Sequence, residues 1–201
     1  MPRAGLNRTA VVEAALAVVD AGGPTGFADL TLAAVAARVG VAVPSLYKHV
    51  HGLPDLRRGV VQVCVVDLAD ALTAATAGLD GARAVHAAAG AVRTFARTTP
   101  GRYAATQRAE WAVDPAAAEI RAAAARTVAV IAGALQPLDV PPERTIDAVR
   151  AVRAAVHGFV VLELEGGFGL PDDVDASFDY LITTVIQGLV SASGSPAGRG
   201  G

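Results

Sequence analysis

Thr31-Leu-Ala-Ala-Val-Ala-Ala-Arg-Val-Gly-Val-Ala-Val-Pro-Ser-Leu-Tyr-Lys-His-Val50 is the stretch that decides the fold, because it predicts two short helices joined by a tight turn. In its first half, apolar residues recur at positions i, i+3, i+4 and i+7 and form one stripe on a helix. Thr31 precedes that stripe, where its hydroxyl can cap the first turn. Gly40 follows it, where a positive φ ends a helix at least cost. The stripe consists of Leu32, Val35, Ala36 and Val39.

The second half predicts another helix, which begins near Ala42–Pro44. Proline is tolerated in a first helical turn because a backbone N–H at that position has no acceptor within the helix. Leu46 and Val50 are four residues apart and face inward together. The outward side chains suit a DNA duplex, with small groups for base edges and polar groups for phosphates. An ordinary helical hairpin with a solvated outer face is the alternative on pattern alone. We predict base contacts from Val43, Pro44 and Ser45, and phosphate contacts from Thr31, Tyr47, Lys48 and His49.

This stretch resembles the helix-turn-helix of the TetR family of transcriptional regulators. The resemblance closely covers less than a third of the chain, and two family features are absent from it. A Ser or Thr often caps the recognition helix where Ala42 stands, and a phosphate-contacting Lys is often found near Leu53, so neither contact is carried over. The matching pieces are Thr31-Leu32, Val35-Ala36, Gly40-Val41 and, above all, Leu46-Tyr47-Lys48-His49-Val50 followed by Leu53 and Asp55-Leu56.

Composition favours a globular helical protein. Of the 201 residues, 53% are hydrophobic and 18% charged, which is ample for a core and too apolar for disorder. Aromatic residues make up only 4%, so the core is expected to consist mainly of Ala, Val and Leu on closely packed helices. Mean hydropathy is +0.44, yet charges interrupt every apolar run of about 18 residues, and no secretory signal opens the chain. We therefore predict a soluble cytoplasmic protein with no membrane partner.

Charge is distributed unevenly along the chain. The net charge is −2, but residues 1–60 carry six basic and four acidic residues, so the remainder holds −4. The predicted DNA-binding end is thus mildly basic, which agrees with a phosphate-binding role. Arg3 and Arg8 lie in or beside a predicted N-terminal arm, free to reach a groove or phosphates. For Arg3, a solvated terminus is the alternative.

Metal sites and catalytic sites are not indicated by the sequence. Cys64 is the only cysteine, and the four histidines lack metal-ligand spacing, so we predict no metal and no cofactor. The stretch Gly166-Gly167-Phe168-Gly169 lacks the preceding strand and the Gly-Lys-Ser/Thr ending of a phosphate loop. Ser45 and His49 are four residues apart but have no acid to orient them. We predict that the protein is not an enzyme.

The rest of the chain predicts helices separated by glycine and proline turns. Thr9–Ala21 forms a first helix, and the helix that begins at Leu53 keeps one apolar stripe to about Thr76. This long helix is a natural lever between the helix-turn-helix and the remainder. The other predicted helices are Gly81–Thr99, Arg102–Trp111, Ala116–Leu135, Glu143–Glu165 and Asp172–Ser191.

The C-terminal region resembles a TetR subgroup marked by a Trp-x-x-x-His-Gly motif. His157, Gly158, Leu162 and Glu163 match, as does Ser177-Phe178 downstream, whereas Arg153 stands where the tryptophan usually lies. The resemblance implies a ligand-binding and dimerisation domain whose last two helices form a four-helix interface in a homodimer. We interpret His157 as a hydrogen-bonded core or interface residue rather than a ligand contact. The predicted interface, taken from apolar stripes on those helices, is Val156, Phe159, Val160, Phe178, Ile182, Val185, Ile186 and Leu189.

A small-molecule pocket is predicted among the middle helices, where bulky or polar side chains are rare between alanines. The candidates are Tyr103, Trp111, Phe95, Gln107 and His86.

Together these features predict an all-α protein with a three-helix helix-turn-helix DNA-binding domain at 1-52. A helical effector-binding and dimerisation domain at 53-191 and a disordered tail at 192-201 follow. The predicted function is that of a ligand-responsive transcriptional regulator, a repressor that a small-molecule effector releases from a pseudo-palindromic operator of double-stranded DNA. Two other classes stay open: a small-molecule-binding helical protein without DNA binding, and an all-helical enzyme.

Overall fold

The computed structural model describes residues 6–108, 111 and 114–193 and folds them mainly into α-helices. No β-strand occurs among these residues, and the all-α prediction is confirmed. Most of the predicted N-terminal arm, including Arg3, and most of the predicted disordered tail lie outside the described residues. The helices are α1 (Arg8–Ala21), α2 (Leu32–Val39), α3 (Val43–Leu46), α4 (Leu53–Thr76), α5 (Gly81–Thr98), α6 (Pro100–Thr106), α7 (Ala118–Leu135), α8 (Thr145–Leu164) and α9 (Val174–Ser193).

Helix α6 departs most from its predicted bounds. The sequence predicted a break at Pro100-Gly101 and a helix over Arg102–Trp111, but α6 begins at Pro100 and ends at Thr106. Proline at the first helical position loses no hydrogen bond and has the φ that a helix needs. Gly101 serves close packing instead, because a Cβ built on it would lie 2.7 Å from the carbonyl oxygen of Gly23 and 2.8 Å from that of Val19.

The described chain forms two compact units. Unit 1 consists of Met1–Asp67 and Phe95–Ala124, and unit 2 of Leu68–Thr94 and Ala125–Gly201. These units differ from the predicted domains, because α4 contributes its first part to unit 1 and its last part to unit 2. The domain boundary predicted between residues 52 and 53 therefore stays a prediction about function.

Unit 1 has a continuous apolar core. Helices α1 and α2 pack on each other, and α6 packs on α1. Val11, Ala15 and Val19 present one face of α1 to this core and are fully buried. Fully buried residues of α4, Leu56, Val60 and Cys64, complete it from the other side. Burial of this kind is what holds a small helical unit together.

By length and composition alone, helix α4 is long and apolar enough to cross a membrane. A window of 18 residues within it has a mean hydropathy of 1.4. Charges interrupt this helix as predicted, because every 18-residue stretch of α4 contains Asp67 and Asp70. Two features instead describe a core helix: 44% of that window is buried inside the protein, and Leu56, Val60 and Leu72 are inaccessible to solvent.

Unit 2 is organised around a buried arginine. Arg93 of α5 is 8% exposed and donates two hydrogen bonds to the Glu163 carboxylate of α8, at 2.8 and 2.7 Å. It also pairs with Asp175 at the start of α9, at 2.7 Å, and its guanidinium lies over the ring of Phe178 at 4.8 Å. These contacts raise the pKa of Arg93, with the Glu163 hydrogen bonds as the largest cause. Two parallel hydrogen bonds between a guanidinium and a carboxylate fix the relative orientation of the two side chains in addition to pairing their charges.

Candidate DNA-binding surface and ligand cavity

The helix-turn-helix is held by the local features that the sequence predicts. Thr31 caps α2, because its Oγ1 accepts a hydrogen bond from the Ala34 N–H at 3.2 Å. Gly40 has φ +72° and ψ +36°, the left-handed conformation that ends α2 and turns the chain toward α3. Ala42 precedes α3 without any side-chain cap, in agreement with the missing Ser or Thr.

Helix α3 presents its outward side chains unevenly. Leu46 and Val50 are buried, at 0% and 1% exposure, so they anchor the segment in the core. Tyr47 is 56% exposed. Of the other predicted DNA contacts, Thr31, Pro44 and Lys48 are exposed, while Val43, Ser45 and His49 are half-buried. Val43 packs partly against the core, so a smaller part of it is open to a base edge than the pattern suggested.

Lys48 is the only lysine of the chain. It lies just past the end of α3 and is exposed, and it follows Tyr47, which is exposed as well. An ammonium and a phenol in neighbouring positions are the groups that bind phosphate oxygens at a duplex edge.

Arg8 does not reach outward as expected. Both terminal nitrogens of its guanidinium donate to the carboxylate of Asp55, at 2.7 and 2.9 Å. Asp55 also accepts from the backbone N–H of His51 at 2.9 Å and from Arg58 at 2.9 Å. It is 6% exposed, and these donors, Arg8 first, hold the pKa of the Asp55 carboxyl well below its usual range. The expectation that Arg8 is free for DNA is therefore wrong: it ties the start of α1 to the start of α4.

A cavity of about 300 Å³ lies within unit 1. Its apolar walls come from the Phe27 segment, the first turns of α4 and the start of α7, and three arginines line it. Of the predicted ligand contacts, it is lined by Trp111 alone. The lining residues are Phe27, Leu53, Pro54, Arg57, Arg58, Val61, Arg108, Trp111, Asp114 and Ile120.

The other predicted ligand contacts lie elsewhere. Tyr103 is 4% exposed in unit 1, and Phe95 and Gln107 are half-buried in the same unit. His86 belongs to unit 2, where its Nε2 lies 3.4 Å from the Thr183 hydroxyl. The sequence analysis did not predict the arginines of the cavity. The one available signal was the pair Arg57-Arg58 together with Arg108, which precedes the only tryptophan by three residues.

Most of the predicted dimer-interface side chains pack inside the protomer. Val156, Val160, Phe178, Ile182 and Ile186 are buried, and Phe159, Val185 and Leu189 are half-buried. The same two helices instead expose Leu162 at 49%, Tyr180 at 75% and Val190 at 45%.

Two further sequence candidates have structural explanations. His157 is half-buried, and burial, followed by the charge of Arg153, lowers the pKa of its imidazole. Burial raises the pKa of the Cys64 thiol to about 12, which keeps it protonated and unreactive at neutral pH. Among residues 6–108, 111 and 114–193, no three His, Cys, Asp or Glu side chains are grouped so as to hold a metal ion.

The fold and the exposed α3 surface define a helix-turn-helix protein built to bind DNA. Comparison with known proteins agrees. Residues 85–185 match the family described as "Tetracyclin repressor-like, C-terminal domain". The uncharacterized HTH-type transcriptional regulator Rv0681 of Mycobacterium tuberculosis is 35% identical over 98% of this chain and 86% of its own. The uncharacterized HTH-type transcriptional regulator YobS of Bacillus subtilis is 30% identical over 94% and 95% of the two chains.

A solved structure shares the fold. The transcriptional regulator SCO7222, a TetR from Streptomyces coelicolor, superposes with a TM-score of 0.67 at 23% identity and covers 95% of this chain and 100% of that chain. The chain belongs to the TetR family of helix-turn-helix transcriptional regulators. This membership favours a ligand-responsive DNA-binding regulator over a small-molecule-binding helical protein without DNA binding.

Proposed function

We propose that this regulator is a cytoplasmic repressor that binds a pseudo-palindromic operator as a homodimer and that a small molecule releases it. The observation that carries the DNA part is the surface made by Thr31, Pro44, Tyr47 and Lys48, all exposed, on a segment whose inner residues are fully buried. A rigidly anchored helix with an exposed polar edge is what sequence-specific docking in a major groove requires.

Phosphate contacts are assigned to Thr31, Tyr47, Lys48 and His49, and base contacts to Val43, Pro44 and Ser45. Thr31 can serve both its cap and a phosphate, because its oxygen accepts from Ala34 while its hydroxyl proton remains available to a phosphate oxygen. Pro44 and Ser45 lie in the first turn of α3, which is the part of a recognition helix that approaches base edges.

The homodimer is proposed to form through α8 and α9. Exposed Leu162, Tyr180 and Val190 supply apolar area there. Gly158 and Gly188 lie on the same helices with open space around the position of a Cβ, so a partner helix can approach their backbones closely. Most of the eight side chains predicted for the interface are buried within the protomer, so they would pack beneath the contact surface or lie at its edge.

Two symmetric helix-turn-helix units would enter successive major grooves, roughly 34–36 Å apart. Effector binding would favour a state in which that spacing no longer fits the operator, and the DNA would be released by population shift.

The test is a fluorescence-anisotropy titration of the protein onto the duplex upstream of its own gene, against a scrambled duplex, at several salt concentrations. We expect preferential binding to the upstream duplex, with log affinity falling steeply against log salt because phosphate contacts release counterions. Equal, weak binding to both duplexes at every salt concentration would overturn specific recognition of this fragment. The absence of binding to any duplex at low salt would overturn the DNA-binding function itself.

A further inference from the structure

The cavity in unit 1 carries more positive than negative charge. Arg57, Arg58 and Arg108 line it, and Asp114 is the one carboxylate among its described lining residues. That carboxylate is already engaged, because Arg58 donates to it at 2.7 Å. The lining therefore has a net charge of +2 in a partly enclosed space, where charges interact more strongly than in water.

Two of the three arginines have no acidic partner in the part of the chain that the structure describes. Among the described residues, no ion pair includes Arg57 or Arg108. Arg57 donates to neutral carbonyl oxygens instead, that of Ala28 at 2.9 Å and that of Leu30 at 3.4 Å. Both guanidinium groups lie near the Phe27 ring, 5.8 and 5.9 Å from its centroid. Phe27 thus orients two cations whose charge no carboxylate in the described part of the chain neutralises.

Unsatisfied hydrogen-bond donors collect at the same place. In the described part of the chain, the buried side-chain polar atoms without a partner are Arg57 Nε and Trp111 Nε1. Both belong to residues that line the cavity. Buried donors without acceptors are rare in folded proteins, and they add to the positive potential of their surroundings. Among the described residues, these two donors therefore lack an acceptor, just as Arg57 and Arg108 lack an acidic partner.

The remaining walls are apolar. Leu53, Pro54, Val61 and Ile120 line the cavity with Phe27, and its volume of about 300 Å³ is at the small end for ligand sites. A bare inorganic anion would leave these apolar walls without contacts. An organic anion with one carboxylate and a compact apolar body satisfies both kinds of wall.

We propose that this cavity is the effector site of the regulator and that it takes a small organic monocarboxylate with an apolar or aromatic body. The inference rests on the proposed ligand-responsive function and names its ligand class. The carboxylate lies against Arg108 and Arg57, and the apolar body packs between Phe27 and the first turns of α4.

The cavity is connected to the helix-turn-helix through Arg58. One terminal nitrogen of Arg58 binds Asp114 at the cavity, and the other binds Asp55 at 2.9 Å. Asp55 in turn holds Arg8 of α1 and the backbone N–H of His51, which directly follows the recognition segment. A carboxylate bound against Arg57 and Arg108 adds a negative charge beside Arg58 and therefore acts on the contacts that position α3.

The test uses Trp111, the only tryptophan of the chain, as its reporter. The full-length protein, without DNA, is titrated with benzoate, phenylacetate, 4-phenylbutyrate and hexanoate, and with the amide of each. We expect at least one acid to change the Trp111 fluorescence and to bind about tenfold or more tightly than its amide, because a charge-assisted contact is lost with the amide. Equal affinity of acids and amides, or no response to any acid, overturns the proposal.

Two variants separate a site from a general charge effect. Arg108→Gln removes a cavity charge from a side chain with no hydrogen bond among the described residues, and Arg83→Gln removes an exposed one at the start of α5. Acid affinity should fall about tenfold in Arg108→Gln and stay unchanged in Arg83→Gln. An equal loss of acid affinity in both variants, or no loss in either, would contradict binding of the acid in this cavity.

Quenching of Trp111 tests the cavity charge without any ligand. Iodide should quench its fluorescence more strongly, relative to neutral acrylamide, in the parent than in Arg108→Gln, because a cationic cavity concentrates anions. An unchanged iodide-to-acrylamide ratio overturns the electrostatic argument.

A failure of the ligand inference remains distinct from a failure of the proposed function. The operator duplex binds without any ligand if the regulator function is correct, whatever the cavity holds. Acids that bind in the Trp111 assay but leave operator affinity unchanged overturn the effector role of the cavity and leave the DNA-binding function standing.

Discussion

The carboxylate of Asp55 accepts hydrogen bonds from both terminal nitrogens of Arg8, at 2.7 and 2.9 Å, across 47 positions of sequence. This contact joins the first turn of α4 to the first turn of α1. Because Asp55 also accepts from the His51 N–H, the same carboxylate holds the connection between the recognition segment and α4. The orientation of α3 therefore depends on the ion pairs of the buried Asp55 carboxylate as well as on apolar packing.

Replacing Asp55 by Asn should destabilise the protein in a pH-dependent way. The folded state lowers the pKa of Asp55 from its ordinary value of 3.8, so its stabilising effect is fully present above that value and is lost as pH falls below it. We expect Asp55→Asn to lower the free energy of unfolding by about 1–3 kcal/mol at pH 7, discounted because Arg8 is half-exposed. Urea unfolding at pH 7 and pH 3 should show this difference shrinking on acidification.

The control for Asp55 is Asp80→Asn, which removes an exposed carboxylate paired with Arg83 at 3.3 Å. It should change stability by less than about 0.5 kcal/mol. A difference between Asp55→Asn and the parent that stays constant from pH 7 to pH 3 would refute the role assigned to the Asp55 charge.

Tyr47 should contribute to DNA binding and little to folding, because 56% of it is exposed. Tyr47→Ala is expected to weaken binding to the upstream duplex about tenfold while leaving the melting temperature within about 1–2 °C of the parent. Tyr47→Phe, which loses only the hydroxyl, reports the phosphate hydrogen bond by itself. Two variants that bind as tightly as the parent would remove Tyr47 from the interface.

Lys48 should supply one phosphate contact per protomer. Lys48→Gln is expected to reduce the slope of log affinity against log salt by about 2 for a dimer on its operator. As the only lysine, it also allows acetylation by an amine reagent to be followed at one side chain by mass spectrometry. Operator DNA should protect Lys48 from acetylation and a scrambled duplex should protect it less; equal modification with and without operator would place Lys48 outside the contact.

Gly101 should be required for the packing of α6 on α1. A Cβ there meets backbone oxygens of Gly23 and Val19 at 2.7 and 2.8 Å, so Gly101→Ala is expected to cost roughly 1–3 kcal/mol of stability. Gly90→Ala, in the middle of α5 with open space around its Cβ position, should stabilise by about 0.5–1 kcal/mol. Thermal unfolding of the two variants should move in opposite directions, and a stabilising Gly101→Ala would refute the close approach.

Tyr180 tests the proposed dimer interface, since it is 75% exposed on α9. Tyr180→Arg is expected to shift the protein from dimer to monomer in sedimentation velocity, because an unpaired cation would be buried between the protomers. Leu79→Arg, which adds the same charge at an exposed position outside α8 and α9, should leave the dimer intact. A dimer that survives Tyr180→Arg with unchanged affinity would argue for another interface.

Local features of the sequence predicted the helix-turn-helix and α4 well. Thr31 and Gly40 act through their own side chain or φ angle, and α4 begins at Leu53 and ends at Thr76 as the apolar stripe predicts. Such features depend on residues within a few positions of each other, which periodicity and capping rules describe.

Features that depend on distant partners were not predictable. The apolar stripes of α8 and α9 are real, but periodicity cannot tell whether a stripe is covered by its own protomer or by another chain, and Val156 and Ile182 proved to be covered within the protomer. Likewise, nothing in the sequence shows that Arg8 meets Asp55, or that Arg57 and Arg108 lie around one phenylalanine ring.

The most direct test of the central claim is selection of duplexes from a random pool by the full-length protein, followed by sequencing. The account predicts enrichment of a pseudo-palindrome whose two half-sites lie about one helical turn apart or a multiple of it, and loss of that enrichment with Tyr47→Ala. Enrichment of no sequence, or an equal outcome with Tyr47→Ala, would contradict recognition through the α3 surface.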